Sequence, residues 1–166
     1  MESDRSMLAY LFWHRPGGRE DRGRYERRLI EFHESLRGAV AESAAFRLER
    51  LPFAADGGYE DWYLIDDWPD LGELNRAAVS GKRRAPHDAA ARLAAEGWGG
   101  VYRLVRGTSA VPDGVRWTSK RRGESYESFL DRERADVVWQ RQLVLGPAPE
   151  FCLTGEGSPE RLRLWP

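Results

Sequence analysis

Two segments of this chain are apolar on both side-chain parities, and no other feature narrows the fold as much. Leu8-Ala-Tyr-Leu-Phe-Trp-His14 carries large apolar or aromatic residues at odd and even positions alike, and Tyr59 to Trp68 does the same around a few acids. Alternate side chains of a strand point to opposite faces of its sheet, so a run with no polar parity reads as a strand covered on both sides. The chain therefore needs a sheet with helices on one face and other cover on the second. At 166 residues it is long enough for one ordinary domain with a substantial extension.

The first strand closes at Arg15-Pro-Gly-Gly, a turn signal. From about Asp21 to Arg37 the period becomes helical, with Tyr25, Leu29, Phe32 and Leu36 on one face and Arg and Glu on the other. Gly38 ends that helix. Phe46 to Leu51 alternates as a strand with one wet face. Asp56-Gly57-Gly58 turns the chain, and Tyr59 to Trp68 returns as its hairpin partner. Pro69 suits the first turn of a second helix, Asp70 and Glu73 lie where the macrodipole favours negative charge, and Leu71, Leu74 and Ala78 form its apolar stripe. Pro86 interrupts, a further helical piece is expected from His87 to Glu96, and Gly97-Trp-Gly-Gly releases the chain into a fourth strand, Val101 to Val105. Strand, helix, strand, strand, helix, strand is the split βαβ, ferredoxin-like order, in the α+β class.

Gly107 to Pro166 is too apolar for a tail. Val115 to Lys120 reads as a strand, Tyr126 to Arg134 as a helix, Val137 to Leu145 as a strand, and Glu150 to Thr154 as one more. It also echoes the opening: Trp13 precedes a basic, glycine-containing turn and Tyr25-Glu-Arg-Arg-Leu, while Trp117 precedes Lys120-Arg-Arg-Gly and Tyr126-Glu-Ser-Phe-Leu. A degenerate internal repeat and chance are both open. The expected division is residues 1–107 as a ferredoxin-like unit and 108–166 as a C-terminal extension, a candidate partial second unit packed on the first. The helix-free sheet face is then covered by that segment or by a second copy, closing an α/β barrel within one chain or as a homodimer.

Composition excludes several classes. The 26 basic and 27 acidic residues are interleaved, so bulk charge suggests no nucleic acid and no membrane surface as partner. The basic residues are almost all arginine, with Lys82 and Lys120 the only lysines. Arginine favours planar carboxylate or phosphate ligands, although a GC-rich genome explains the same bias. No apolar run approaches the roughly 20 residues of a membrane helix, and the charged start, Met1-Glu-Ser-Asp-Arg, is unlike a signal peptide. A cytoplasmic location is the expectation. Cys152 is the only cysteine, so there is neither an internal disulfide nor a multi-thiolate metal site.

The element order and the motifs Phe12-Trp-His-Arg-Pro and Glu60-Asp-Trp-Tyr-Leu-Ile-Asp-Asp-Trp resemble the dimeric α/β-barrel superfamily over about residues 8–106. In that superfamily two such sheets pair into an eight-stranded barrel, between two chains or within a tandem chain. It includes cofactor-free oxygenases such as those of antibiotic biosynthesis, polyketide cyclases, haem enzymes and small-ligand regulators. The resemblance implies a ligand cavity between helices and sheet and does not choose a chemistry.

The three histidines are His14, His33 and His87. His14 ends the first strand, and the following helix runs back, so His33, about 12 residues into it, is expected roughly 18 Å away at the opposite end of the unit. No two histidines have a metal-ligand spacing, and no metal site is expected. His33 falls on the sheet-facing side of its helix, near the expected end of the hairpin strand at Asp66 and Asp67. A histidine held by a carboxylate is a general-base arrangement. His33, oriented by Asp66 or Asp67, is thus the candidate catalytic group, with His14 the next candidate base. A core histidine holding one hydrogen bond, with the two acids capping the helix at Pro69, competes with it. Tyr10, Phe12, His14, Trp62 and Trp68 are the candidate substrate-binding residues, and His14-Arg15 is a candidate anion holder at the pocket mouth. No nucleotide loop and no serine nucleophile motif occurs, so no cofactor is expected. The expected activity is binding of a small, largely apolar or aromatic metabolite, as a cofactor-independent oxygenase, cyclase or isomerase. The alternative is a non-catalytic dimeric stress or regulatory module.

Overall fold

The computed structural model describes residues 7–166, apart from the side chains of residues 144 and 145. The charged opening segment, residues 1–6, lies outside the described residues. In chain order the elements are β1 (Leu8–Pro16), α1 (Arg22–Ser35), β2 (Glu42–Leu48), β3 (Gly58–Ile65), α2 (Trp68–Ala78), a short 3-10 turn, α3 (Arg84–Ala91), β4 (Ala94–Arg106), β5 (Arg116–Thr118), α4 (Tyr126–Arg132), β6 (Val137–Leu145), β7 (Phe151–Thr154) and β8 (Leu162–Trp165). All eight strands form one antiparallel sheet in the order β5-β7-β6-β4-β1-β3-β2-β8. The protein is α+β.

Local chemistry explains most element ends. Asp21 caps α1, its carboxylate accepting from the Arg24 amide at 2.7 Å, and Asp67 caps α2 through the Asp70 amide at 3.0 Å. Pro86 does not interrupt a helix as expected. It sits in the first turn of α3, where amides have no intrahelical acceptor. The chain beyond α3 then enters β4 early, so Gly97-Trp-Gly-Gly belongs to a strand rather than a loop. The reason is visible at Gly97, where a Cβ would lie 2.5 Å from the Phe12 ring. The glycine leaves the volume that Phe12 occupies. β2 starts four residues earlier than its alternating pattern suggests, because the small Ser43 and Ala45 fit beneath α1 while Ala44 enters the opposite core. β8 had no sequence signal.

Parity divides the sheet cleanly. Leu8, Tyr10, Phe12 and His14 of β1 and Tyr59, Asp61, Tyr63 and Ile65 of β3 face α1, α2 and α3. Ala9, Leu11, Trp13, Trp62 and Leu64 face the other way, into a second core with Phe46, Tyr102, Trp117 and Trp139. Trp62, a candidate binding residue, is therefore on the face without helices, since even positions of β3 point away from them. Trp68 is half-exposed at the start of α2, because β3 ends at Ile65 and the strand alternation no longer places it.

That second core exists because the sheet curls on itself. In a flat sheet β5 and β1 would lie about 19 Å apart, four strand spacings. Yet the ring of Trp117 on β5 is 5.3 Å from that of Trp13 on β1 and 6.5 Å from that of Trp62 on β3. The two edges meet just ahead of β5 and β8, through a bridge between Gly114 and Glu160 flanked by Val115 N–H to Pro159 O at 3.0 Å and Arg161 N–H to Asp113 O at 3.1 Å. The helix-free face is covered within one chain.

A buried ion pair anchors this closure. Glu60 is fully buried among the tryptophans; Trp13 Nε1–H donates to it at 2.8 Å and Trp62 Nε1–H at 2.6 Å, and Arg161 reaches in from ahead of β8 to complete the set. The Arg161 guanidinium also donates to the Pro112 and Asp113 carbonyls and lies 3.8 Å over the Phe46 ring. Removing one partner of a buried pair leaves the other charge uncompensated. Arg161→Met is expected to lower stability by about 3–5 kcal/mol in urea unfolding; a loss below about 1 kcal/mol would show that Glu60 does not depend on it.

Candidate functional site

Between the sheet and its three covering helices lies a cavity of about 460 Å³. Its floor is Tyr10, Phe12, His14, Asp61, Tyr63 and Val101; α1 contributes Tyr25, Leu29, Phe32 and Leu36, and α2 and α3 close it with mostly small or aliphatic side chains and His87. Half-exposed Val79 and Leu143 stand at its margin. The floor rings are layered: Tyr10 stacks on Tyr63 at 5.9 Å between centroids, Tyr10 on Phe12 at 6.5 Å, and Phe12 on His14 at 5.4 Å. A lining of this kind suits a flat, apolar molecule. No arginine or lysine is among the lining residues. Arg15 points elsewhere, donating to the Gly57 carbonyl at 2.9 Å and lying over Trp98, so His14-Arg15 does not form an anion holder in this cavity.

The polar end of the cavity is built around Asp61, in the middle of β3 and nearly fully buried. Its Oδ2 accepts from His14 Nε2 at 3.0 Å and from the Tyr63 hydroxyl at 3.1 Å. Its Oδ1 lies 3.3 Å from His33 Nε2, within ion-pair range. His33 is held from behind by Ser43, whose hydroxyl is 3.1 Å from Nδ1, and stacks on Tyr63 at 5.1 Å. His14 Nδ1 meets the hydroxyl of Tyr25 in a very short contact. With Nε2–H given to the carboxylate, Nδ1 is left as the acceptor for Tyr25 O–H.

Two expectations change here. His14 and His33 are not isolated at opposite ends of the unit; both reach one carboxylate. Their backbones are well apart along the strands, His14 level with Tyr59 and His33 beside Ser43, which pairs with Tyr63. Asp61 lies between those levels and spans the gap. The carboxylate that holds His33 is thus Asp61 and not Asp66 or Asp67, which follow the end of β3 and are exposed, Asp67 serving as the cap of α2. His33 is fully buried behind the wall rather than in it, whereas His14, Tyr10 and Phe12 do line the cavity. Asp61, Tyr25 and Tyr63 are polar residues lining the cavity that the sequence reading passed over. Among the described residues, no group of three or more histidine, cysteine or acidic side chains is arranged to hold a metal ion.

The electrostatics follow from burial. Desolvation alone would raise the Asp61 carboxyl, but the two imidazoles beside it outweigh that and hold it below the ordinary carboxylate range. Burial, then the Asp61 charge, raises the phenols of Tyr10, Tyr25 and Tyr63, so all three remain protonated donors. Cys152 lies in the other core, its thiol pushed well up by burial and chemically inert.

No family model matches the chain, and no curated protein matches it. Among solved structures it is similar to a crystal structure described as an anthrone oxidase-like protein, at 10% identity and a TM-score of 0.50, with 90% of this chain and 71% of that chain covered. At that identity the likeness is one of fold. No helix of the described residues is long and apolar enough to cross a membrane.

Because the folded Asp61 carboxyl lies below the unfolded value near 3.9, its ionised form stabilises the fold. That contribution is complete above the unfolded value and drains as pH falls toward the folded one. Denaturant unfolding between pH 2.5 and 6 is expected to show stability falling below about pH 4, with Asp61→Asn flattening that fall. An equally steep fall in Asp61→Asn would place the acid sensitivity elsewhere.

Proposed function

We propose that this chain binds a small, flat, largely apolar molecule between its helices and sheet and moves a proton on it through Tyr25, His14 and Asp61. That is the step shared by cofactor-independent oxygenases, cyclases and isomerases. The observation that carries the reading is this Tyr–His–Asp chain standing in the wall of an otherwise apolar cavity. Asp61 fixes the tautomer and orientation of His14 and stabilises the imidazolium that forms. A substrate carbon next to a carbonyl loses its proton to the Tyr25 oxygen while the Tyr25 proton passes to His14 Nδ1. The substrate is left as an enolate, and return of that proton to another atom completes an isomerisation or ring closure. His33 takes a positioning role, through Asp61, in place of the base role expected from sequence.

The architecture supports a finer reading, a single-chain α/β barrel of two ferredoxin-like units. β4-β1-β3-β2 is the first unit's order, and β5-α4-β6-β7 repeats β1-α1-β2-β3 with the matching order β5-β7-β6. The units join at β2–β8 and β4–β6, which are equivalent junctions. Trp13 pairs with Glu60 in one unit as Trp117 pairs with Cys152 in the other. Thr118 and Leu153 then stand where His14 and Asp61 stand, so the proton relay belongs to the first unit alone. On this reading residues 108–166 are the degenerate second unit, and a homodimer would use some surface other than the covered sheet face. A purely structural module gives no account of three buried polar groups aligned at a cavity wall.

The name of the structural neighbour makes anthrone a natural first probe. Exchange of its methylene protons into D2O, followed by NMR without oxygen, is expected to be accelerated by the protein. His14→Gln is expected to slow that exchange by about 10²–10⁴-fold with an unchanged circular dichroism spectrum. A folded His14→Gln protein exchanging at the original rate would remove His14 from the mechanism.

A further inference from the structure

Two histidines line the cavity, His14 and His87, and the proton relay uses only the first. His87 stands at the other end of the lining, because α3 runs antiparallel to α1. Just ahead of α3, Arg83 Nε–H donates to the Ser35 carbonyl at the end of α1, at 2.8 Å. The His87 ring then lies edge-on to Phe32, one turn earlier in α1, at 5.5 Å between centroids. Leu93 and Ala94, beyond α3, pack with Tyr25 and Leu29 near the start of α1. Phe32 follows Tyr25 by two helical turns, so His87 is set about 10 Å along α1 from the Tyr25 end of the relay.

His87 is held in one tautomer and is open to contact. Its Nδ1 is 3.1 Å from Asp88 Oδ1, and Arg84 Nε stands 3.8 Å from the other carboxylate oxygen. The bond to His87 is the first cause holding the Asp88 carboxyl below its ordinary value. A carboxylate only accepts, so in the neutral imidazole Nδ1 carries the proton and Nε2 is an acceptor. The His87 side chain is 33% exposed while lining the cavity, so a molecule there has access to the ring. We infer that His87 is a specificity-determining residue, its Nε2 accepting a hydrogen bond from a hydroxyl at the end of the ligand remote from the reacting carbon. This rests on the cavity reading above and adds that the largely apolar ligand is polar at both ends. A carbonyl at that end would bring a lone pair to a lone pair, whereas a hydroxyl supplies the proton that Nε2 lacks.

Calorimetric titration of the full chain in mildly alkaline buffer tests this with 2-naphthol, 2,6-dihydroxynaphthalene and 2,3-dihydroxynaphthalene. The 2,6-diol has a hydroxyl at each end, and the 2,3-diol has both at one end. The 2,6-diol is expected to bind about fivefold tighter than 2-naphthol, the effect of one added hydrogen bond, and the 2,3-diol to lack that gain. His87→Phe keeps a ring against Phe32 and removes the acceptor, and is expected to bind 2-naphthol and the 2,6-diol equally. In chain labelled with ¹⁵N at histidine, the 2,6-diol is expected to shift the His87 Nε2 signal. Equal binding of 2-naphthol and the 2,6-diol, or a 2,3-diol bound as tightly as the 2,6-diol, overturns the two-ended ligand while the cavity reading stands. A gain that persists in His87→Phe, or a His87 signal unmoved by bound 2,6-diol, overturns the role of His87. No binding by any probe overturns both this inference and the cavity reading on which it rests.

Discussion

Two consecutive acids in the middle of one strand, Glu60 and Asp61, are both buried, and the rest of the architecture is arranged to satisfy them. Strand alternation sends them to opposite faces of the sheet. Neither face can hold an unpaired carboxylate, since desolvating an ion costs several kcal/mol even after relaxation. On the helix-free face, Trp13, Trp62 and Arg161 answer Glu60. On the helix face, His14, His33 and Tyr63 surround Asp61. The first set joins the C-terminal segment to the middle of the sheet, and the second joins β1 and α1 to β3.

The two faces differ in one respect, and the functional reading depends on it. Glu60 is enclosed by tryptophan rings and a guanidinium, and both of its oxygens have donors. Asp61 borders a cavity, and His14, which it holds, lines that cavity. An enclosed acid stabilises a fold, whereas one that orients a histidine beside an open volume is equipped for chemistry there. The apolar lining adds to this, because charges interact more strongly where water is displaced.

Much of the fold was legible in the sequence, because it rests on periodicity. The double-sided strands β1 and β3, the helical stripe of α1 and the turn before β3 all showed in residue spacing. β8 was not legible: Leu162 to Trp165 is short, is interrupted by Arg163, and becomes a strand only by pairing with β2. The early start of β2 was hidden by Ser43, Ala44 and Ala45, small residues chosen by packing, Ser43 and Ala45 under α1 and Ala44 on the opposite face, and not by strand preference. At the site, His14 was read at the pocket and His33 as a carboxylate partner, but the acid was misplaced. Asp66 and Asp67 stood out because they precede a helix, and capping is what Asp67 does. The signal for Asp61 was its position inside a run apolar on both faces, where any acid must be buried and therefore paired. Tyr25 was counted as core, and only the fold brings its hydroxyl to His14, 11 residues away in sequence.

The central claim is that Asp61 orients His14 as a proton acceptor at the cavity wall. The most direct measurement is the tautomer of His14 in solution, from long-range ¹H–¹⁵N correlation of the imidazole nitrogens near neutral pH. The account predicts a proton on Nε2, slow to exchange and shifted downfield by its bond to Asp61, with Nδ1 unprotonated. A neutral His14 carrying its proton on Nδ1, or an imidazole averaging between tautomers, would contradict it.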